Sequence, residues 1–271
     1  ILDHAGGGRP ADVALLRQLC SQIENPDNEQ PGQRCIASLA YWGEAGVKAV
    51  EQLLPYQDQL SAIVMLQDFV IGGGEGRERT NALLQQLNVP LLKAIKLRDR
   101  SALEHQLSAD GLAAEKVYYQ VAMPELQGAS QPLIIASAGE PQNDPISGIR
   151  IQAIESKQDG LTALTSRLSR WAALQQKNNA NKRIAIVYYN HPPGRHNIGA
   201  DNRDVPASLW QILNQLKAQG YNVGELPASQ EALLDEMQLR GVNLPRDATA
   251  LKNMSDKIQT MAPSDYQSWF D

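Results

Sequence analysis

Residues 62–95 begin Ala62-Ile-Val-Met-Leu66, continue through Gly72-Gly-Gly-Glu-Gly76 and Arg77-Glu-Arg-Thr-Asn-Ala-Leu-Leu-Gln-Gln-Leu87, and close on Val89-Pro-Leu-Leu-Lys-Ala-Ile95. An apolar run without polar alternation is what a strand covered on both faces requires. The glycines punctuate it, a helix-length stretch follows, and a second apolar run completes a βαβ unit. Such units build a mostly parallel sheet.

The same alternation extends both ways. Upstream, Pro10 to Glu24 reads as a helix with Val13, Leu16, Cys20 and Ile23 on one stripe, followed by a strand near Cys35 to Tyr41 and a helix over Gly46 to Leu54. Gly6-Gly7-Gly8 reads as a flexible lead-in. Downstream come helices over Ser101 to Leu107 and Leu112 to Val121, a strand over Pro132 to Ser137, and a loop from Glu140 to Gly148. A long helix over Gly160 to Lys177 runs into the polar stretch Lys177 to Lys182, the best boundary in the chain. Beyond it Arg183 to Tyr189 reads as a strand and Val205 to Gln219 as a helix on Val205, Leu209, Ile212, Leu213 and Leu216, stopped at Gly220. Tyr221 to Glu225 could add a strand before a mostly helical tail. The expectation is an α/β chain of tandem Rossmann- or flavodoxin-like units, mostly parallel sheets flanked by helices. Its domains would be 1–150, a helix and linker over 151–181, and a second α/β unit over 182–271.

With 271 residues, 42% of them hydrophobic, the chain is long enough for one large or two medium domains. A net charge of -5 and no lysine- or arginine-rich run exclude a nucleic-acid surface. The apolar stretches are too short to cross a bilayer. Cys20 and Cys35 lack metal-ligand spacing and read as two buried thiols, with a disulfide as the alternative. The chain begins at Ile1 with no initiator methionine and no signal-like segment, so location cannot be read from it directly; the expectation is cytoplasmic.

The densest polar cluster is Tyr188-Tyr-Asn-His-Pro-Pro-Gly-Arg-His-Asn-Ile-Gly199, beyond the carboxyl end of the expected strand at Arg183. Ligands of open α/β sheets bind there. His191, Arg195, His196 and Asn197 could handle a ligand, and His191 and His196 a metal given a third donor; a self-satisfied surface loop is the bland reading. Gly72-Gly-Gly-Glu-Gly76 lacks the phosphate-loop Lys-Ser/Thr and reads as a tight turn before an anion cradle. In Met123-Pro-Glu-Leu-Gln-Gly128, Glu125 could accept a proton or merely cap a helix. His4 and His105 read as structural or exposed.

These segments resemble the CobN/magnesium-chelatase family of large chelatase subunits. The blocks are Ile184 to Gly194, Asn197 to Ala200 and Asp204 to Leu209, preceded in family order by Val89 to Ile95, Gln120 to Gly128 and Arg167 to Leu174. The resemblance implies an internal piece of a very large subunit that binds a tetrapyrrole and a divalent cation, cobalt or magnesium. It also implies an AAA+ ATPase partner that uses ATP, a second smaller chelatase subunit, and no chelation by the piece alone. On it, Glu125 handles the proton, and His191, Arg195, His196 and Asn197 lie by the tetrapyrrole or metal. Gln127 and Gln131 stand where the family usually has acidic residues, which marks a divergent member, non-catalytic or metal-removing in the alternative. A third reading, made without the resemblance, is a sugar- or nucleotide-binding α/β protein using the Gly72 loop.

Overall fold

The computed structural model describes residues 1–4, 9–26, 31–40, 42–190, 198–200, 203–240, 249, 252 and 261–270. The chain divides into two compact units, Ile1–Gln176 and Lys177–Asp271.

The first unit is built on β1 (Leu2–His4), β2 (Ser38–Ala40), β3 (Ile63–Met65), β4 (Leu91–Ser101), β5 (Ala129–Ala138) and, after a small hairpin of β6 (Gln142–Asn143) and β7 (Arg150–Ile151), β8 (Ile154–Ser156). Their order is β2-β1-β3-β4-β5-β8. The first five strands are parallel, and β8 closes the edge antiparallel to β5. Helices cover both faces. α1 (Pro10–Glu24) shares one core with Val64, Leu92 and Ile135 and with the helix over 158–176; α2 (Glu44–Glu51) and α3 (Arg77–Leu87) line the other with Leu2, Met65 and Ile71. Each fully buried aliphatic side chain here contributes roughly 1.5–3 kcal/mol. α4 (Ala102–Leu107) starts on a capping box, Ser101 with Glu104. α5 (Ala114–Val117) runs through a π turn (Tyr118–Ala122) into α6 (Met123–Glu125). α7 (Gln158–Gln176) lies so close to the sheet that a Cβ on Gly160 would sit 2.0 Å from the Ile134 carbonyl oxygen.

The buried runs of the βαβ unit emerge as β3, α3 and β4. Three expectations change. No element was expected ahead of Pro10, yet Leu2–His4 is a central strand between β2 and β3, too short to show a period; the lead-in expected at Gly6 to Gly8 lies outside the described residues. The buried face of α1 runs through Asp12, Leu15, Leu16 and Leu19, turned because Asp12 reaches inward to cations of β4. Cys20 and Cys35 are no thiols but a disulfide, Cα–Cα 5.3 Å, tying α1 to the segment leading into β2.

In the second unit Arg183 to Tyr188 forms no regular strand. Ile184, Ile186 and Val187 stay exposed, Val187 at 93%, while Tyr188 packs against the small core of this unit. β9 (Tyr189–Asn190), β10 (Ile198–Ala200) and β11 (Arg203–Asp204) form a small antiparallel sheet instead. α8 (Val205–Ala218), capped by Asp204, and α9 (Gln230–Arg240) share a core of Ile198, Val205, Leu209 and Leu233. Gly220, at φ 79°, follows α8 where the stop was expected, while residues 221–225 form no strand.

Candidate functional site

The first unit's strand order reverses between β1 and β3, and in open α/β sheets ligands bind at this switch point, outside the carboxyl ends. A cavity of about 390 Å³ lies there, bounded by residues of β1 and α1, the segment after β3, and the far half of β4.

β4 continues past β3, and Lys96 and Arg98, two residues apart, project from the same face. Lys96 Nζ donates to both oxygens of Asp3, at 2.6 and 2.7 Å, and to Asp12 Oδ1 at 3.1 Å; Arg98 also donates to Asp12. Burial alone would raise the Asp12 carboxyl, but the Arg98 hydrogen bond and the Lys96 charge outweigh it and hold Asp12 below its ordinary value. Lys93 is also buried. Its Nζ donates to the carbonyls of Gln67, at 2.9 Å, and Ala94, at 3.1 Å, and lies 3.5 Å from Asp68 Oδ1. Desolvation pushes Lys93 down to about 8, with Asp68 opposing the shift.

Aromatic rings flank the cavity. Trp42 stacks on Phe69 with centroids 5.5 Å apart, and Phe69 meets Tyr119 at 5.6 Å. Phe69 sits at φ 64°, its N–H bonded to the Tyr119 carbonyl at 2.7 Å. Non-glycine residues in this left-handed region gather at ligand clamps and active sites. The glycine turn serves the same wall: a Cβ on Gly73 would lie 2.0 Å from the Trp42 ring. It is therefore a tight turn that admits an indole.

The expected site residues fall elsewhere. Glu125 is exposed at the end of α6, four residues before β5 begins at Ala129, opposite the start of β4 at Leu91. That is the amino-terminal edge of the sheet, away from the crevice. His191, Arg195, His196 and Asn197 lie outside the described residues, between the paired strands β9 and β10. His105 lies on α4, and His4 lines the crevice. Among the described residues no three His, Cys, Asp or Glu side chains are grouped to hold a metal ion.

Gln127 has a structural task. Its Oε1 accepts from Ile71 N–H at 2.7 Å, and its Nε2 donates to the Ile71 carbonyl at 3.0 Å and to Asn81 Oδ1 at 2.9 Å. Only an amide can give and take at once here; a carboxylate would face two acceptors. Gln131 is exposed at φ 54°, and its carbonyl accepts from Arg167 at 2.9 Å.

Reading the chain for motifs missed Asp3, Asp12, Gln67, Lys93, Lys96 and Arg98. One signal was present. Lysines are almost never buried unless paired, so Lys93 inside an apolar strand and Lys96 just beyond it called for acidic partners.

A parallel sheet in the order 2-1-3-4-5, with a charged crevice at its switch point, defines a ligand-binding doubly wound α/β unit. The CobN/Magnesium Chelatase family matches residues 10–271, and the chain belongs to that family. The chain is 35% identical over 182 residues to the magnesium-chelatase subunit ChlH, chloroplastic, of Oryza sativa subsp. indica, covering 66% of this chain and 12% of that protein. It is 31% identical over 184 residues to the aerobic cobaltochelatase subunit CobN of Pseudomonas aeruginosa (68% and 14%). It is 28% identical over 202 residues to the aerobic cobaltochelatase subunit CobN of Sinorhizobium sp (72% and 15%). The chain thus spans only about an eighth to a seventh of the length of these relatives. No solved structure matches it.

Proposed function

We propose that the chain is a segment of the large tetrapyrrole- and metal-binding subunit of an ATP-dependent chelatase, which inserts cobalt into a corrin precursor or magnesium into protoporphyrin. Family membership over residues 10–271 carries this reading. Insertion exchanges two pyrrole N–H protons for one divalent cation, so the reaction needs a base. Glu125, an exposed carboxylate beside a rigid proline, takes that role. His191, Arg195, His196 and Asn197 contact the tetrapyrrole, His191 and His196 also the metal. ATP is hydrolysed by an AAA+ partner acting with a second smaller subunit. No described helix is long and apolar enough to cross a membrane. The Cys20–Cys35 bond favours an oxidising compartment over a cytoplasmic one.

Gln127 supports a second reading, a non-catalytic or metal-removing tetrapyrrole binder. Its side chain is committed to Ile71 and Asn81, so it adds no acidic group beside Glu125. Titration of the chain with protoporphyrin, followed by fluorescence quenching, tests both. Saturable binding that weakens in Glu125→Gln or His191→Ala supports the chelatase segment. Binding unchanged in both variants favours the second reading, and no binding at all removes both.

A further inference from the structure

We propose that one stripe of α7, formed by Arg167, Arg170, Trp171 and Leu174, docks an acidic amphipathic helical segment of a partner polypeptide. Carboxylates of that segment meet the two arginines, and an apolar side chain between them seats beside Trp171. The proposal goes beyond the chelatase reading, which places its chemistry on Glu125 and residues 191–197, and it does not depend on that reading.

The stripe follows from the helical period. Residues three and four apart are neighbours on a helix surface, and positions 167, 170, 171 and 174 repeat at that interval. α7 already spends one stripe, Leu161, Leu164 and Leu168, on the core. A helix with one buried stripe is expected to be polar elsewhere, yet beside it this one carries Trp171, half-buried, and Leu174, 42% exposed. Trp171 packs on the core and also lines two open hollows, of about 600 and 590 Å³. They lie along the amino-terminal edge of the sheet, where Leu126, 64% exposed, borders the first and Pro132 the second. A tryptophan anchored in this way and still open to solvent is the kind of side chain that dominates binding at interfaces.

Charge decides the occupant. The chain carries 30 acidic and 25 basic side chains, yet among the described residues no Asp or Glu lines either hollow. Arg167 is aimed by its bond to the Gln131 carbonyl at 2.9 Å, a neutral acceptor that leaves its charge uncompensated. Arg170 is exposed, with no hydrogen bond or ion pair among the described residues. Two uncompensated cations beside an apolar ring match a helix that sets carboxylates three or four residues from an apolar anchor. Exposed ion pairs add little affinity by themselves. Trp171 and Leu174 therefore hold the segment, and the arginines select an acidic one.

A phage-displayed library of random peptides of about 15 residues, roughly four helical turns, is panned against the full chain. Selected peptides are then synthesised and titrated by fluorescence anisotropy. The expected winners carry Asp or Glu three or four residues from an aliphatic or aromatic side chain. Their Kd should rise at least about tenfold in Arg170→Glu and in Leu174→Glu, and should also rise with added salt. Both positions are exposed, so both variants should keep the wild-type melting temperature, and their loss of binding reports the surface. Neutral or basic winners, no winners, or a Kd unchanged in both variants overturns the proposal. So does a dimer of the chain alone, seen by sedimentation and broken by Arg170→Glu, because a second copy then covers the stripe. A single-stranded oligonucleotide that displaces the peptides at equal concentration overturns it too, since the surface then takes any polyanion.

Discussion

Lys96 Nζ is gripped by both carboxylate oxygens of Asp3, at 2.6 and 2.7 Å, with the two side chains 9% and 3% exposed. The pair joins β1 to β4 across β3, which lies between them in the sheet. Two charges taken out of water are tolerable only together, and removing one typically costs 3–5 kcal/mol. Lys96→Met should therefore destabilise the chain by about 3–5 kcal/mol in urea unfolding. Adding Asp3→Asn to it should recover a large part of that loss, since the stranded charge goes too. Equal stabilities for wild type and Lys96→Met would sink this account.

Asp12 sets an acid limit. Its carboxyl lies below the ordinary 3.8 in the folded chain. A depressed carboxylate contributes stability that is present above the unfolded value and is lost as pH falls through the folded one. Stability should thus fall as pH drops below about 4, and Asp12→Asn should flatten that decline. Melting curves between pH 5 and pH 2.5 read the difference.

Lys93 works in the opposite direction. Its folded value of about 8 lies below the ordinary 10.5, so between them the unfolded chain binds more protons and stability rises with pH. Relative to Lys93→Met, the wild type should gain about 3 kcal/mol between pH 8 and 10.5, from a shift of 2.5 units. Parallel pH profiles for the two proteins would show that Lys93 is charged equally in both states.

Gln127 bridges a loop and a helix. Gln127→Ala leaves the Ile71 N–H and carbonyl unpaired and should cost about 1–3 kcal/mol. Gln127→Asp is one methylene shorter and as a carboxylate cannot donate, so it should cost at least as much. A stability for Gln127→Asp equal to wild type would mean that the amide is dispensable.

How much was readable follows from the range of each interaction. Ala62 to Leu66, Arg77 to Leu87 and Val89 to Ile95 declare themselves because burial on both faces and helical period are local properties. They became β3, α3 and β4. The crevice was not readable, because Asp3 and Asp12 lie 93 and 84 residues from Lys96 and meet it only through strand order. The run at Arg183 failed for a related reason. Apolar β-formers make a strand only beside another strand, and among the described residues none pairs with 183–188.

The Cys20–Cys35 bond closes a separation of 15 residues, and in the chain-entropy account a loop of that size is worth about 3 kcal/mol. The bond is placed where it can act: Cys20 lies in the last turns of α1, and Cys35 lies three residues before β2, an edge strand. Opening it frees the connection that holds β2 against β1. Reductant should then lower the melting temperature by roughly 6–12 °C, given about 2–4 °C per kcal/mol for a unit of this size. The double variant Cys20→Ser, Cys35→Ser should melt at the lower temperature with or without reductant. Equal midpoints for wild type in both conditions, with thiol titration showing two free cysteines, would mean that the bond constrains nothing.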